Sequence, residues 1–272
     1  MMKKIGIIAA ALTVALTTVP VQAKVTADEA AKLGTELTPL GGEKAGNADG
    51  SIPAWTGGIT SAPAGYSAGD FHPDPYAGEK PEFVITAANY QQYADQLSEG
   101  LKKMFETYPD TFKLPVYKTH RSASNPQFVY DATKENATRA TLLDDGNGMA
   151  GAAGGIPFPI PANGLEAIWN HIARYRGPAV QRNGGQAAVT AGGDYNVIGF
   201  DEQLLIQYSQ ENATPESLLE NNVLFMFKQK VTKPARLAGT ALLVHETLDQ
   251  VKEPRKAWTY NTGQRRVRLA PN

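Results

Sequence analysis

The chain has 272 residues, with 26 lysines and arginines against 27 aspartates and glutamates, 26 glycines, 18 prolines and no cysteine. Its length allows one large domain or two modest ones, and 42% hydrophobic against 19% charged residues is enough to bury a core, which excludes wholesale disorder. A formal net charge of −1 provides no global field for nucleic acid, and the missing cysteine excludes disulfides, thiolate catalysis, Cys-ligated zinc and a lipid-modified N-terminal cysteine.

Lys3 and Lys4 open the chain, Ile5 to Val19 is an almost unbroken apolar run, and Val21-Gln22-Ala23 offers small side chains before Lys24. This is the pattern of a secretory leader, and cleavage is expected after Ala23. The apolar run is shorter than the roughly 20 residues that span a bilayer, so a membrane anchor is the weaker reading. Residues 1–23 are therefore read as a signal peptide and the remainder as a soluble, mildly acidic, exported protein.

Thr26-Ala27-Asp28-Glu29 is a capping-box pattern that starts a short helix. From the Thr38–Gly42 breaker to about Pro81 the chain is rich in Gly, Pro, Ala and Asp, with Trp55, Tyr66, Phe71 and Tyr76 set among them. So long a loop is functional or laid over a surface, and the aromatics favour an arm that docks. Residues 24–81 are read as this helix and arm, and 82–272 as a helix-plus-sheet domain. Thr86 opens one amphipathic helix in which Tyr90, Tyr93, Leu97, Leu101, Met104, Phe105 and Tyr108 share a face, with Pro109 as its stop. Pro115–Tyr117 and Gln127–Tyr130 read as short strands flanking a polar turn at His120-Arg121-Ser122. Residues 144–161 form a second Gly/Pro segment, read as a turn-rich loop. Asn163 caps another helix with Glu166 at the capping-box position, an apolar face of Leu165, Ile168, Trp169, Ile172 and Tyr175, and Gly177-Pro178 as its end.

From about residue 195 the pattern turns to strands: Tyr195–Phe200, Gln203–Ser209, Val223–Val231, Leu237–Leu248, Lys256–Tyr260 and Arg265–Leu269. Short links make an antiparallel meander, with the two amphipathic helices as the cover for one face. The fold class expected is α+β: a curved antiparallel sheet covered by amphipathic helices, with a long Gly/Pro-rich N-terminal arm.

No motif carries a reaction. Gly146-Asn147-Gly148-Met149-Ala150-Gly151 matches the dinucleotide fingerprint by letter, but Gly154, Gly155, Pro157, Pro159 and Pro161 come next, where a helix must open. Asp144, Asp145 and Asn147, and Asn47, Asp49 and Ser51, lack the bidentate Glu of a calcium loop and read as solvated turns. His72, His120, His171 and His245 share no metal spacing. Neither a nucleophile elbow nor a cofactor motif remains, so no catalytic residue, metal or cofactor is expected. Arg265, Arg266 and Arg268, with Arg255 and Lys256 nearby, form the basic cluster. Set beside Trp258 and Tyr260, it is open between a charged sheet edge that blocks strand addition and a contact with an anionic ligand or partner.

Several blocks are similar to a known family. The stretch L-G-G-E-K-A-G-N-A-D-G-S-I-P-A-W-T-G-G from Leu40 to Gly58 resembles the N-terminal signature of domain-of-unknown-function family 1329. Phe71–Tyr76, Phe83–Tyr90, Ile156–Pro161, Gly164–His171 and the pair Trp258-Thr259-Tyr260 and Arg265–Arg268 resemble its later blocks. The resemblance implies a periplasmic protein of Gram-negative bacteria, described as outer-membrane lipoprotein-sorting-like. It further implies a fold similar to the lipoprotein-localisation carriers, an incomplete antiparallel barrel closed by helices around an apolar cavity. Members of the family continue beyond the Arg-Arg-Val-Arg block, so the resemblance also implies a chain truncated at its C-terminus, with later strands missing. The family carries no established catalytic residues.

The function expected first is a non-enzymatic periplasmic carrier holding a lipid or other hydrophobic small molecule on the concave face of the sheet. Trp169, Phe225, Phe227, Trp258 and Tyr260 are the candidate lining residues, each of which ordinary core packing would also explain. Arg265, Arg266 and Arg268 would meet a headgroup, a membrane surface through peripheral contact, or an outer- or inner-membrane transport protein; no nucleic-acid partner is expected. The alternatives are an accessory module of an outer-membrane or efflux-type assembly that binds through the 40–81 arm, and a hydrolase built around His72 or His120.

Overall fold

The computed structural model describes residues 25–67 and 69–270, so the expected leader lies outside the described residues. In chain order the elements are α1 (Ala27–Ala30), β1 (Phe83–Ile85), a 3₁₀ segment (Tyr90–Gln96), α2 (Glu99–Thr107), β2 (Leu114–Val116), α3 (Gln127–Arg139), β3 (Thr141–Leu143), β4 (Gly148–Ala150) and α4 (Gly164–Ile172). After these come β5 (Ala179–Val189), β6 (Tyr195–Ile206), α5 (Pro215–Asn221), β7 (Val223–Lys233), β8 (Ala241–Thr247), β9 (Lys256–Asn261) and β10 (Arg266–Leu269). Strands β5 to β10 form one six-stranded antiparallel meander in sequence order, open at both edges and not closed into a barrel. Two small hairpin-like pairs, β1 with β2 and β3 with β4, complete the described strands.

Several expectations are corrected. The single helix expected from Thr86 to Tyr108 is broken at Leu97, whose backbone is extended; Ser98 then caps α2 afresh through its hydroxyl and Leu101 N. Five of the seven residues of the expected face, Tyr90, Tyr93, Leu97, Leu101 and Phe105, still meet Ile85, Leu114 and Val116 in one small cluster, while Met104 and Tyr108 are exposed. Gln127–Tyr130 is not a strand but the first turn of α3. Its β-prone residues are overruled by the helical spacing of Val129, Thr133, Asn136 and Ala137, which are the buried residues of α3. The two strands expected at 195–200 and 203–209 are one, β6, because the intervening Asp201 and Glu202 stay in the ladder. Glu202 pairs with Arg182 across one side at 2.8 Å and accepts a hydrogen bond from Gln229 on the other at 2.7 Å. The expected strand 237–248 shortens to β8, and β5, with its paired Gly184 and Gly185, is a strand that apolar alternation does not announce.

The main core lies between α4, the segment 149–158 and one end of the sheet, where Met149, Phe158, Trp169, Ile206, Tyr208, Leu224 and Leu248 pack together. The segment expected as a turn-rich loop is thus interior: Ala152, Ala153, Gly154, Gly155, Pro157 and Phe158 are buried. A buried irregular backbone must find partners for its peptide groups, and side chains of three elements supply them. Asn136 Nδ2 donates to the carbonyls of Ala153 and Ile156, and its Oδ1 accepts from Ala153 N. Thr133 Oγ1 accepts from Ile156 N at 3.0 Å, and Asn170 both accepts from Phe158 N and donates to its carbonyl. Tyr208 donates its hydroxyl to Gly155 O at 2.7 Å; burial pushes the pKa of this phenol up and keeps it a neutral donor. Gly155 comes so close to α3 that an added Cβ would lie 2.4 Å from Thr133 N.

The chain before β1 is tied to residues 120–124. The Arg121 guanidinium donates to the carbonyls of Glu43 at 2.6 Å, Lys44 at 3.2 Å, Ala45 at 3.3 Å and Pro53 at 3.4 Å. Trp55 Nε1 donates to Ala123 O, and Ile59 N to Ser122 O, both at 2.9 Å.

Asn136→Ala removes the partners of three backbone groups inside the core. It is expected to cost about 2–4 kcal/mol, read as a lowered midpoint in equilibrium urea denaturation with an unchanged slope.

Candidate functional site

The meander has two faces of unlike character. Register places Ala179, Leu205, Met226, His245 and Lys256 in one row on what we call the outer face, and Gln181, Gln203, Lys228, Leu243, Trp258 and Leu269 in the next. The inner face carries Ile206, Phe225 and Glu246 nearest α4. Beside them runs the apolar row Val180, Leu204, Phe227, Val244 and Ala257, and then a row that is polar except for Leu242: Arg182, Glu202, Gln229, Leu242, Thr259 and Arg268.

This alternation separates the five residues expected to line one cavity. Trp169, Phe225 and Phe227 share the inner side; Trp258 and Tyr260 stand on the outer face. Trp169 is 5% exposed, belongs to the core, and donates its indole N–H to Gly146 O at 2.9 Å. Trp258 meets His245 edge-on at a ring separation of 5.0 Å. The arginines divide as well: Arg266 and Arg268 are on the inner face of β10, opposite in sense to Trp258 and Tyr260, while Arg265 sits in the preceding turn with a positive φ of 51°.

Between α4 and the inner face lies a cleft of about 430 Å³, within the roughly 300–1,000 Å³ of small-molecule sites. Its walls include Leu165, Ile168, Trp169 and Ile172 from α4, Leu224 and Phe225 from β7, and Gly146 and Asn147 from the turn before β4. Helix α4 starts where Asn163 caps it through Glu166 N, and Asn170 and Trp169 then anchor its buried side to Phe158 and Gly146. The apolar face read from the sequence is wider than the core needs. Trp169 is buried, whereas Leu165 is 49% and Ile168 58% exposed at the cleft.

Charge is concentrated at the same place. Arg174, Arg176 and Arg255 line the cleft together with Glu246, whose side chain is 7% exposed. Both Nε and Nη2 of Arg255 lie 2.6 Å from Glu246 Oε2, and Gln250 donates to the other carboxylate oxygen. Arg174 donates to His171 O at the end of α4. Burial, then the neighbouring Arg174 and Arg182 guanidiniums, hold the Arg176 pKa below the usual arginine value. Of this set only Arg255 belongs to the basic cluster picked out from the sequence. The signal for the rest was the Arg174-Tyr175-Arg176 run directly after a helix with an over-wide apolar face. The glycine run Gly146–Gly151 contributes to the cleft wall through a β3–β4 turn with no helix after it.

A second concavity, of about 480 Å³, is an open groove on the outer face bounded by Ala179, Leu205, Met226, Lys228 and Leu243. Of the histidines considered for a hydrolase, His72 packs edge-on against Tyr66. His120 Nε2 lies 2.7 Å from Glu79 Oε1 and stacks on Tyr76 at 3.8 Å between rings.

Removing the Arg255 guanidinium strands the Glu246 carboxylate at the cleft floor. Because Arg255 is 57% exposed, solvent screening trims the effect: Arg255→Met is expected to cost about 1–2 kcal/mol, seen as a fall in thermal midpoint, and Arg255→Met/Glu246→Leu to recover most of it.

Among curated proteins, the chain is 55% identical over 260 residues to Uncharacterized protein PA3922 of Pseudomonas aeruginosa. The alignment takes in 96% of this chain and 57% of that relative, so the chain spans little more than half the relative's length. No solved structure matches. The family model for Protein of unknown function (DUF1329) matches residues 84–272, and on that match and that relative the chain belongs to the DUF1329 family.

Proposed function

We propose that the protein is a non-enzymatic periplasmic carrier or binding protein for a lipid-like ligand, linked to outer-membrane transport or sorting. The observation that carries this reading is the cleft beneath α4, where Leu165, Ile168, Ile172 and Phe225 offer apolar surface to an open site. The inner-face row Val180, Leu204, Phe227, Val244 and Ala257 continues that surface beyond the helix. An alkyl chain laid there leaves water at about 0.8 kcal/mol per CH₂. The open six-stranded sheet with a helix across one end is the arrangement that a lipoprotein-carrier-like half-barrel needs. Arg266 and Arg268, on the same face at the far edge, are then available to a headgroup or to a membrane partner.

Native mass spectrometry of protein prepared from a periplasmic extract tests it. The expected result is a co-purifying lipid-sized mass that is lost on denaturation and depleted several-fold by Leu165→Glu/Ile168→Glu; a clean apo mass from the unaltered chain overturns it. The same spectrum reports the leader, since a chain beginning at Lys24 supports export and an intact Met1 opposes it.

The outer face favours a second reading, an accessory module of an outer-membrane or efflux-type assembly. Val189, Tyr195 and Val197 are exposed together at the β5–β6 end of that face, and Val267 and Leu269 are exposed on β10 at the opposite side of the sheet; contiguous apolar display of the first kind marks interaction surfaces.

A further inference from the structure

We infer that the α4 cleft is built for an anionic amphiphile: one alkyl or acyl tail ending in a carboxylate or phosphate, with the headgroup held by Arg174 and Arg176. This rests on the carrier reading above and narrows it to a chemical class.

The cleft brings together three guanidiniums and one carboxylate. That carboxylate is committed, because Glu246 Oε2 takes two contacts from Arg255 and Oε1 takes one from Gln250. Arg174 and Arg176 therefore face the same space without an acidic partner among the described residues. A helix C-terminus attracts cations, and this accounts for Arg174, which donates to His171 O at 2.6 Å. It does not account for Arg176, which lies beyond the helix end and makes no hydrogen bond or ion pair with a described residue. Arg174 and Arg176 are both exposed at the mouth of the cleft; like charges set side by side oppose each other, and an anion between them relieves that repulsion through charge-assisted hydrogen bonds. Thr247, 3% exposed and also in the cleft wall, has a hydroxyl with no partner among the described residues.

The apolar residues run toward these arginines. Leu165, Ile168 and Ile172 succeed one another along α4, about 10 Å of helix by its rise per residue, and Arg174 and Arg176 come at its end. A short alkyl tail against that stripe puts its polar end at the guanidiniums. The headgroup chemistry is shared by a fatty acid, a phospholipid fragment and free phosphate, so the tail and the charge must be tested apart.

Isothermal titration of the full chain with octyl phosphate, octanoate, octanol and inorganic phosphate does this. The expected result is that the two charged amphiphiles bind at least about tenfold more tightly than octanol, the scale of one charge-assisted hydrogen bond. That preference should vanish in Arg174→Gln/Arg176→Gln, persist in Arg174→Lys/Arg176→Lys, and shrink for the unaltered chain as sodium chloride is raised. The salt series needs no variant and stands even if the glutamine pair fails to fold. Equal binding of octanol and octyl phosphate, unaffected by salt, overturns the anion site while leaving the carrier reading intact. Inorganic phosphate binding as tightly as octyl phosphate overturns the amphiphile assignment, since the tail would then contribute nothing. Absence of binding by every alkyl compound overturns this inference and the carrier reading together.

Discussion

The backbone of residues 151–159 runs through the interior rather than over the surface, and the arrangement of the helical half depends on satisfying it. Peptide groups removed from water without partners are expensive, and an irregular segment cannot satisfy its own. Asn136 and Thr133 from α3, Asn170 from α4 and Tyr208 from the 3₁₀ turn (Gln207–Ser209) after β6 each reach into it. In doing so they set the distance between the two helices and between helices and sheet. Hydrogen bonds of defined length and direction place α4 more narrowly than apolar contact alone would, so the cleft beneath it is a consequence of how that buried segment is satisfied.

Helix α4 is short against the sheet it covers. Strands β5, β6 and β7 each run 11 or 12 residues, about 35 Å at the rise of a strand, whereas α4 has nine residues, about 14 Å long. It can shield one end of the inner face and no more. The remaining sheet keeps apolar residues on both faces in contact with solvent, and among the described residues β5 and β10 are its outermost strands. Among the described residues, the outermost strands carry charge, Arg182 on β5 and Arg266 and Arg268 on β10.

Within the cleft the two kinds of surface are kept apart by geometry. The apolar stripe of α4 comes first along the helix and the guanidiniums come after its last turn. Glu246 is tolerated on the sheet side because Arg255 and Gln250 occupy both of its oxygens, so the carboxylate does not neutralise the other two arginines. A site with an apolar length and a cationic end is thereby formed from one helix, one strand pair and three loops.

The capping patterns at Thr26 and Asn163 and the antiparallel order of the last strands were legible residue by residue, because caps, turns and period-two alternation are local. The meander and the α+β class came from these alone. α3 was not legible as a helix at all, since Gln127–Tyr130 has strand-like side chains and its helical period is carried partly by Thr133 and Asn136, polar residues that are buried only because a loop 17 to 23 residues away needs them. β5 escaped because its middle, Gln181 to Gln186, is polar and holds two glycines, which breaks the period-two alternation. Membership of a lining set was likewise beyond local pattern. Phe225 and Phe227 could be put on one face of their strand and Trp258 and Tyr260 on one face of theirs, but whether those faces coincide depends on register across β8, and register sets them back to back. Local pattern was enough to settle most elements and the face each residue takes within its own strand; which faces meet was settled only when the segments packed. Register and the packing of a buried loop are fixed by contacts between residues far apart in the chain, and no single segment contains them.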